Sequence, residues 1–318
     1  MSHTEFAGIW IPLVTPFRHG AVDHASLQQL VAQGVQAGVA GFVACGSTGE
    51  ASALDDDEQA AVLATVLAHS SGLPVLMGLA GSHLGKTRER LLRLAGLAGQ
   101  GAQPAGFLVP APAYIRPSQP GVIDWFATLA DASPLPLVLY DIPYRTGVPM
   151  TLHTLRTLAR HPRVVALKDC AGDADKTRTL IADGELAVLA GNDMEIFGTL
   201  CLGGAGAVAA SAMLHPVAFN ALWQAVMAPR LSEARVLWQA LAPVIALLFS
   251  EPNPAPLKAW LARRGHIASD ELRSPMTVCT QALCTELLAA ADVLLETVTP
   301  CDGRSPGRAV RCSSGERD

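Results

Sequence analysis

Short apolar runs alternate with longer amphipathic segments along the first two thirds of the chain. The apolar runs are three to six residues long and rich in Val, Ile, Leu and Ala. Continuous apolar runs of this length are typical of strands that are buried on both faces. The predicted strands are Ile9–Val14, Gly41–Ala44, Pro74–Gly78, Gly106–Val109, Leu137–Tyr140, Val164–Lys168, Ala187–Ala190 and Gly206–Val208.

The segments between these runs repeat apolar residues every three or four positions, which predicts helices. The predicted helices are Ser26–Ala37, Asp55–His69, Leu84–Ala98, Gln119–Ala130, Thr151–Arg160, Asp173–Asp183 and Met194–Leu202. Polar residues mark several starts: Ser26 and Thr151 are interpreted as N-caps, and carboxylates cluster at Asp55–Glu58.

Eight strands that alternate with helices predict an α/β fold, a (β/α)₈ TIM barrel, with a doubly wound sheet as the alternative. No Gly-x-Gly-x-x-Gly follows the first strand, which disfavours a dinucleotide site. The strand pattern stops after about residue 214. We expect a barrel over residues 1–214, a C-terminal helical region over 215–298 and a disordered tail over 299–318.

Composition narrows the class of protein. The chain has 318 residues, of which half are hydrophobic, and a formal charge of −5. Mild acidity gives no reason to expect nucleic acid or a membrane surface as a partner, and we expect neither a signal peptide nor a transmembrane helix. The seven scattered cysteines and nine histidines show no ligand spacing. We therefore expect reduced thiols, a cytoplasmic location, no metal and no cofactor.

Lys168 is the most informative single residue. It ends an apolar run, and Gly172 and Asp173 after it indicate a turn and the cap of the next helix. Burial at a strand end lowers the pKa of an ammonium and makes a nucleophilic amine available, which is how proteins form Schiff bases. The alternative is a lysine whose amine extends from the strand end into solvent.

Other polar residues follow other predicted strands. Gly46–Glu50 offers two hydroxyls between glycines, Tyr140 ends a strand, and Arg145 and Tyr114 lie on loops. Each has a plain structural alternative: a polar turn, a core tyrosine or a surface residue. Because active sites of such barrels lie at the C-terminal ends of the strands, these residues should lie at one end of the barrel with Lys168. Together they supply an amine, a phenol and hydroxyls to move protons, and a guanidinium to bind a carboxylate, which is a set suited to reaction with a 2-oxo acid.

The order and spacing of several motifs resemble the dihydrodipicolinate synthase and N-acetylneuraminate lyase family, the pyruvate-type class I aldolases. The resemblance covers roughly residues 6 to 280. The motifs are Gly8–Phe17, Gly46–Glu50, Tyr114–Ser118, Tyr140–Gly147, Leu167–Asp169, Gly191–Asp193 and Glu251–Pro254.

The resemblance implies a Schiff-base lyase with four catalytic residues. Lys168 matches the lysine that forms the imine, and Tyr140 matches the tyrosine that moves protons. Ser47 and Tyr114 match its partners in a hydroxyl relay, and in the family the second tyrosine comes from a neighbouring subunit. A homo-oligomer is therefore expected, either a dimer or a dimer of dimers.

The resemblance also implies substrate contacts. Thr48 matches a ligand of the pyruvate carboxylate, and Arg145 matches the arginine that binds the carboxylate of the second substrate in the synthase branch. Gly191 and Val208 are further expected contacts. The expected substrates are pyruvate or another 2-oxo acid and a small aldehyde.

Departures from the family pattern leave the second substrate open. The synthase branch usually has a second Thr where this chain has Ser47, while the lyase branch lacks the sequence Arg145–Gly147. The leading hypothesis is condensation of pyruvate with L-aspartate-4-semialdehyde. The alternatives are an aldolase or dehydratase for a 2-oxo sugar acid or a 4-hydroxy-2-oxo acid, and a non-catalytic 2-oxo acid sensor.

The family's lysine-inhibited members bind L-lysine through histidines, a glutamate and a tyrosine. The matching positions here hold Asp56, Gln59, Lys86 and Ala113. A base in place of the acid disfavours a cationic ligand. We expect no regulation by L-lysine.

Overall fold

The computed structural model describes residues 6–96 and 103–298. The strands are β1 Gly8–Pro12, β2 Phe17–Arg18, β3 Ala21–Val22, β4 Gly41–Ala44, β5 Val75–Gly78, β6 Gly106–Pro110, β7 Leu137–Asp141, β8 Val164–Asp169, β9 Ala187–Ala190 and β10 Gly206–Val208. Eight of them are parallel and form a closed barrel in the order β1-β10-β9-β8-β7-β6-β5-β4, and β2 and β3 form a separate two-stranded hairpin. The predicted TIM barrel is confirmed, and the doubly wound alternative is wrong.

Helices connect the barrel strands and continue after the last one. They are α1 His24–Gln36, α2 Asp56–His69, α3 Leu84–Gly96, α4 Gln119–Ala132, α5 Pro143–Thr146, α6 Leu152–Ala159, α7 Ala174–Asp183, α8 Ile196–Cys201, α9 Pro216–Met227, α10 Leu231–Leu248, α11 Ala255–Arg263 and α12 Gln281–Val298. Short 3₁₀ turns lie at Ala51–Ala53, Asp193–Glu195 and Ser211–Met213. The last residues of the predicted helix Leu84–Ala98 lie outside the described residues.

Two of the three assigned helix starts agree with the structure. Thr151 caps α6 by accepting a hydrogen bond from the backbone N–H of Thr154. Asp55 forms a capping box with Glu58 at the start of α2. The assignment of Ser26 as an N-cap is wrong, because Asp23 caps α1 and accepts a hydrogen bond from the backbone N–H of Ser26.

Side chains alternate between the barrel interior and the layer under the helices, as the pleat of a strand requires. One buried cluster fills the interior and includes Trp10, Leu76, Val138 and Tyr140. Residues two apart on a strand share a face, so Tyr140 follows Val138 along the interior wall of β7. The neighbouring strand aligns Lys168 with Tyr140. The barrel interior is therefore apolar toward the N-terminal ends of the strands, and it carries the phenol of Tyr140 and the amine of Lys168 at their C-terminal ends.

The C-terminal part is helical, as predicted. The helix α9 packs against β1, whereas α10 packs against α9 and α12, and α11 packs against α12. The division of the chain near residue 214 stays a prediction. The predicted disordered tail over residues 299–318 lies outside the described residues.

Among the described residues, one helix is long and apolar enough to cross a membrane by length and composition. It is α10, which also contains Pro243. A single helix of this kind is weak evidence for a membrane span, since core helices can pass the same test. No such helix was expected from the sequence, because Gly, Pro or charged residues were taken to interrupt the longest apolar stretches before about 18 residues.

Candidate active site

Lys168 lies near the C-terminal end of β8 with only 6% of its surface exposed. Its Nζ lies 4.4 Å from the centroid of the Tyr140 ring. Burial lowers the pKa of Lys168, while the nearby Asp193 carboxylate acts in the opposite direction. The interpretation of a lysine that extends into solvent does not fit this environment. The amine is held in an apolar setting that favours its nucleophilic form.

Three lysines of the described chain are buried, and their partners distinguish them. Lys176 Nζ lies 2.6 Å from Asp141 Oδ2, and Lys258 forms an ion pair with Glu50. The ion pairs recorded within 4.0 Å for residues 6–96 and 103–298 include none for Lys168. Lys176 and Lys258 thus have the partners that buried cations need in a structural role. Lys168 does not.

Tyr140 is buried near the end of β7, and its ring lies against the Lys168 amine. Burial raises the pKa of Tyr140 well above its ordinary value, and a hydrogen bond with Ser47 opposes this shift. The phenol therefore keeps its proton at neutral pH. A protonated phenol beside an amine is placed to donate a proton and take it back.

The loop after β4 brings Ser47 and Thr48 to the same end of the barrel. Cys45 and Glu50 at its two ends have positive φ angles of 52° and 50°, which force the chain into a tight turn. The Thr15 hydroxyl donates to the carbonyl of Gly49 at 2.7 Å and holds the turn from β1's side. Ser47 is exposed in this loop, whereas Thr48 is buried.

A cavity of about 810 Å³ opens beside Lys168. Its lining includes Arg145, Gly191 and Asn192 on the barrel loops. The opposite wall is the segment between α10 and α11, which we call the 249–253 wall: Phe249, Ser250, Glu251, Pro252 and Asn253. The volume lies in the range typical of small-molecule sites.

Arg145 does not lie on a simple loop, as the sequence indicated, but on the short helix α5. Pro143 begins this helix and Gly147, with a φ of 78°, ends it. The guanidinium lies 5.4 Å from the centroid of the exposed Tyr144 ring. Arg145 therefore presents a cation at the cavity, where it can bind an anionic group.

Gly191 and Val208 occupy very different positions. A Cβ at Gly191 would lie 2.7 Å from Cγ of Lys168 and 2.5 Å from Sγ of Cys170, so a larger residue would displace one of these side chains. Val208 is completely buried in the barrel interior, in the same cluster as Tyr140. Gly191 lines the cavity, whereas Val208 is not among the lining residues, and neither are Lys168, Tyr140, Ser47 and Thr48.

Tyr114 is not brought to Lys168 within this chain. It lies in the loop after β6 with 94% of its surface exposed and a φ of 73°. The structure thus collects Lys168, Tyr140, Ser47, Thr48, Arg145 and Gly191 at one end of the barrel, and leaves Tyr114 in solvent.

Two groups beside Lys168 were given no role by sequence reasoning. Asp193 is buried, and its Oδ2 accepts hydrogen bonds from the backbone N–H and the hydroxyl of Ser211 at 2.8 and 2.5 Å. Cys170 lines the cavity, and burial raises the pKa of its thiol to about 12. Asp193 lies in the motif Gly191–Asp193 and Cys170 directly follows the motif Leu167–Asp169, but their contacts depend on neighbouring strands.

The described residues contain no group of three or more His, Cys, Asp or Glu side chains placed to hold a metal ion. The site is built from an amine, hydroxyls and a guanidinium. This set can form an imine with a carbonyl carbon, move protons and hold carboxylates.

Comparison with known proteins agrees with this chemistry. The profile of the dihydrodipicolinate synthetase family matches residues 5–293. The chain belongs to this family. It is 35% identical over 286 residues to 4-hydroxy-tetrahydrodipicolinate synthase 2 of Clostridium acetobutylicum, which covers 89% of this chain and 98% of that enzyme. It is 37% identical over 277 residues to the 4-hydroxy-tetrahydrodipicolinate synthase of Hyphomonas neptunium, covering 86% of this chain and 92% of that enzyme.

Solved structures of the family share the fold closely. The 4-hydroxy-tetrahydrodipicolinate synthase of Methylacidiphilum fumariolicum superposes with a TM-score of 0.87 at 27% identity, covering 92% of this chain and 97% of that one. The chloride-inhibited dihydrodipicolinate synthase of Acinetobacter baumannii, complexed with pyruvate, gives a TM-score of 0.86 at 30% identity, covering 91% and 98%. The predicted family and the predicted lyase class are confirmed.

Proposed function

We propose that the protein is a 4-hydroxy-tetrahydrodipicolinate synthase that condenses pyruvate with L-aspartate-4-semialdehyde. The observation that carries the proposal is Lys168, a buried lysine without an ion-pair partner in the described chain, beside a protonated tyrosine. The names of the relatives support the choice of substrates.

The chemistry follows from the groups present. The Lys168 amine adds to the C2 carbonyl of pyruvate, and loss of water leaves an imine. Removal of a C3 proton converts the imine to an enamine, whose C3 forms the new bond with the aldehyde carbon while the aldehyde oxygen takes a proton. Attack of the second substrate's amino group on C2 of the resulting imine then closes the ring and releases the Lys168 amine. Tyr140 gives and takes the protons of these steps, with Ser47 as its hydrogen-bonding partner. No cofactor is required.

The remaining contacts are assigned by family position. Thr48 binds the pyruvate carboxylate, and Gly191 and Val208 complete the pyruvate site. Tyr114 completes the relay of a neighbouring subunit, which agrees with its exposure and requires a homo-oligomer, either a dimer or a dimer of dimers. A cytoplasmic location belongs to the same proposal.

Arg145 favours an aldehyde that carries a carboxylate, because a guanidinium binds carboxylates through two parallel hydrogen bonds. Ser47 keeps a second candidate open, a 2-oxo sugar acid or 4-hydroxy-2-oxo acid aldolase, since it departs from the usual synthase residue. Both candidates form the same pyruvyl imine, so the second substrate separates them. The unpaired amine argues against a non-catalytic sensor, which has no use for it.

The test is trapping of the imine with borohydride. Pyruvate and borohydride should add a stable mass to the peptide that carries Lys168, and Lys168→Ala should abolish the adduct. The exposed Lys86 supplies a matched control, and Lys86→Ala should be labelled like the wild type. An adduct on Lys176 or Lys258 would contradict the assignment.

A panel of aldehydes then identifies the second substrate. L-aspartate-4-semialdehyde should be consumed together with pyruvate, and the neutral or sugar-derived aldehydes should react far more slowly. If no carboxylated aldehyde is a substrate, the synthase proposal fails and the sugar-acid candidate replaces it.

A further inference from the structure

The 249–253 wall contacts the loop that carries the hydroxyl residues. Asn253 lines the cavity, and its Nδ2 donates a hydrogen bond to Oγ1 of Thr48 at 3.0 Å. The two residues are 205 positions apart in sequence. Thr48 is 5% exposed, whereas Asn253 is half-buried at the cavity.

The direction of this hydrogen bond restricts the Thr48 hydroxyl. A hydroxyl has one proton to donate and two lone pairs that accept. Asn253 occupies one lone pair, and the hydrogen bonds of the described residues include no acceptor for the Thr48 proton. With its oxygen held by Asn253, which lines the cavity, Thr48 keeps its proton free for another acceptor.

Both partners are held in place by a buried ion pair. Glu50, two residues after Thr48, pairs with Lys258, which is completely buried in α11. The second carboxylate oxygen of Glu50 accepts from the backbone N–H of Arg273 at 3.3 Å. The Glu50–Lys258 ion pair and the Thr48–Asn253 hydrogen bond thus connect the loop after β4 to the segment from Asn253 into α11 at two points, which holds the two segments together.

We propose that Asn253 is a positioning residue, which directs the Thr48 hydroxyl toward the carboxylate of the 2-oxo acid. The inference rests on the proposed function, in which Thr48 binds that carboxylate. A carboxylate is bound equally before and during the chemical step, so this contact acts on binding and not on turnover. Loss of Asn253 should raise the KM for pyruvate and leave kcat nearly unchanged.

A double-mutant cycle tests whether Asn253 acts through Thr48. Thr48→Val removes a hydrogen bond to a charged group and should raise the pyruvate KM by about 10- to 100-fold. Asn253→Ala should raise it by about tenfold. The double variant should match Thr48→Val to within about twofold, because the effect of Asn253 vanishes when there is no hydroxyl to direct.

Asn253→Asp provides a second test that keeps the shape of the side chain. A carboxylate accepts the Thr48 proton and turns it away from the cavity, so the pyruvate KM should rise further than in Asn253→Ala. This variant also serves if the alanine variant fails to fold. Asn220→Ala is the matched control, since it removes an asparagine hydrogen bond to Ala37 O of 2.7 Å outside the site and should leave the pyruvate KM unchanged.

The outcomes are separable. Multiplication of the two single effects in the double variant would overturn the inference, as would a pyruvate KM within twofold of wild type in Asn253→Ala. Borohydride trapping of Lys168 at saturating pyruvate should persist in every variant. Loss of trapping in the wild type itself would refute the proposed function, independently of Asn253.

Discussion

Replacement of each of the three buried lysines by methionine should change the stability of the protein in different directions. In Lys258→Met, the Glu50 side chain, which is 3% exposed, loses its ion-pair partner and keeps a buried charge. In Lys176→Met, the buried Asp141 carboxylate likewise loses its ion-pair partner. In Lys168→Met no described carboxylate loses an ion pair, and a desolvated amine is replaced by an apolar group of similar length. Lys168→Met should therefore retain or increase the stability of the wild type.

The expected magnitude follows from the burial of the pairs. Removing one partner of a buried ion pair costs about 3–5 kcal/mol. An unfolding entropy of about 2.1 cal/mol/K per residue gives about 0.7 kcal/mol/K for 318 residues. Lys258→Met and Lys176→Met should each lower Tm by about 4–7 °C, measured by circular dichroism at one protein concentration.

The pH dependence gives a further check on Lys168. Burial places its pKa in the folded protein below the ordinary 10.5 of the unfolded chain. The unfolded chain then binds more protons between those two values, so the stability of the wild type rises with pH across that window. Below the lowered pKa the cost of burying the ammonium is complete, and above 10.5 it is absent. The Tm advantage of Lys168→Met should therefore shrink as the pH approaches 10.5.

Two results would refute this reasoning. If Lys168→Met falls as far as Lys258→Met, Lys168 has a structural partner and its amine is not free. If Lys258→Met melts within about 2 °C of the wild type, the ion pair with Glu50 does not hold the loop in the way inferred above.

Three further predictions concern activity. Tyr140→Phe should retain the fold and lose about 10²–10⁴-fold in kcat; near-normal steady-state turnover would remove Tyr140 from proton transfer. Arg145→Lys should raise the KM for the aldehyde and leave pyruvate trapping intact, because lysine cannot form the same two hydrogen bonds; an unchanged aldehyde KM would contradict this. L-lysine at millimolar concentration should neither inhibit nor raise Tm, because Lys86 and Ala113 replace the acid and the aromatic ring of the family's lysine site; half-inhibition below about 1 mM, a binding free energy of roughly 4 kcal/mol or more, would show that the site persists.

The barrel could be predicted from sequence because its signal is local. Parallel strands buried on both faces are short apolar runs, and the predicted strands agree with the observed ones to within two residues at either end. The hairpin of β2 and β3 was missed because its strands are two residues long and carry no pattern. Ser26 was taken as a cap because the competing Asp23 lies three residues earlier, and only the backbone conformation decides between them.

The candidate site also contains residues that could be predicted from sequence and residues that could not. Lys168 and Tyr140 could be predicted because strand ends in a barrel meet at one place. Asn253 could not, since its contact with Thr48 depends on how the helices after the barrel fold back over the mouth. The distinction between Lys168 and the other buried lysines also required the structure, because Glu50 and Asp141 are 208 and 35 residues from the lysines that they pair with.

The 249–253 wall has a consequence for the synthesis of the protein on the ribosome. All eight barrel strands precede residue 209, so the nascent chain contains the complete sheet well before the wall and α11 emerge. Until then Glu50 lacks its partner Lys258, and Thr48 lacks its partner Asn253. Phe17 also lacks the cations of Lys258 and Arg273, which lie 4.2 and 4.5 Å from the centroid of its ring. A truncated chain that ends after the barrel carries Lys168 but lacks the 249–253 wall, so the cavity is complete only after residue 253 has been translated.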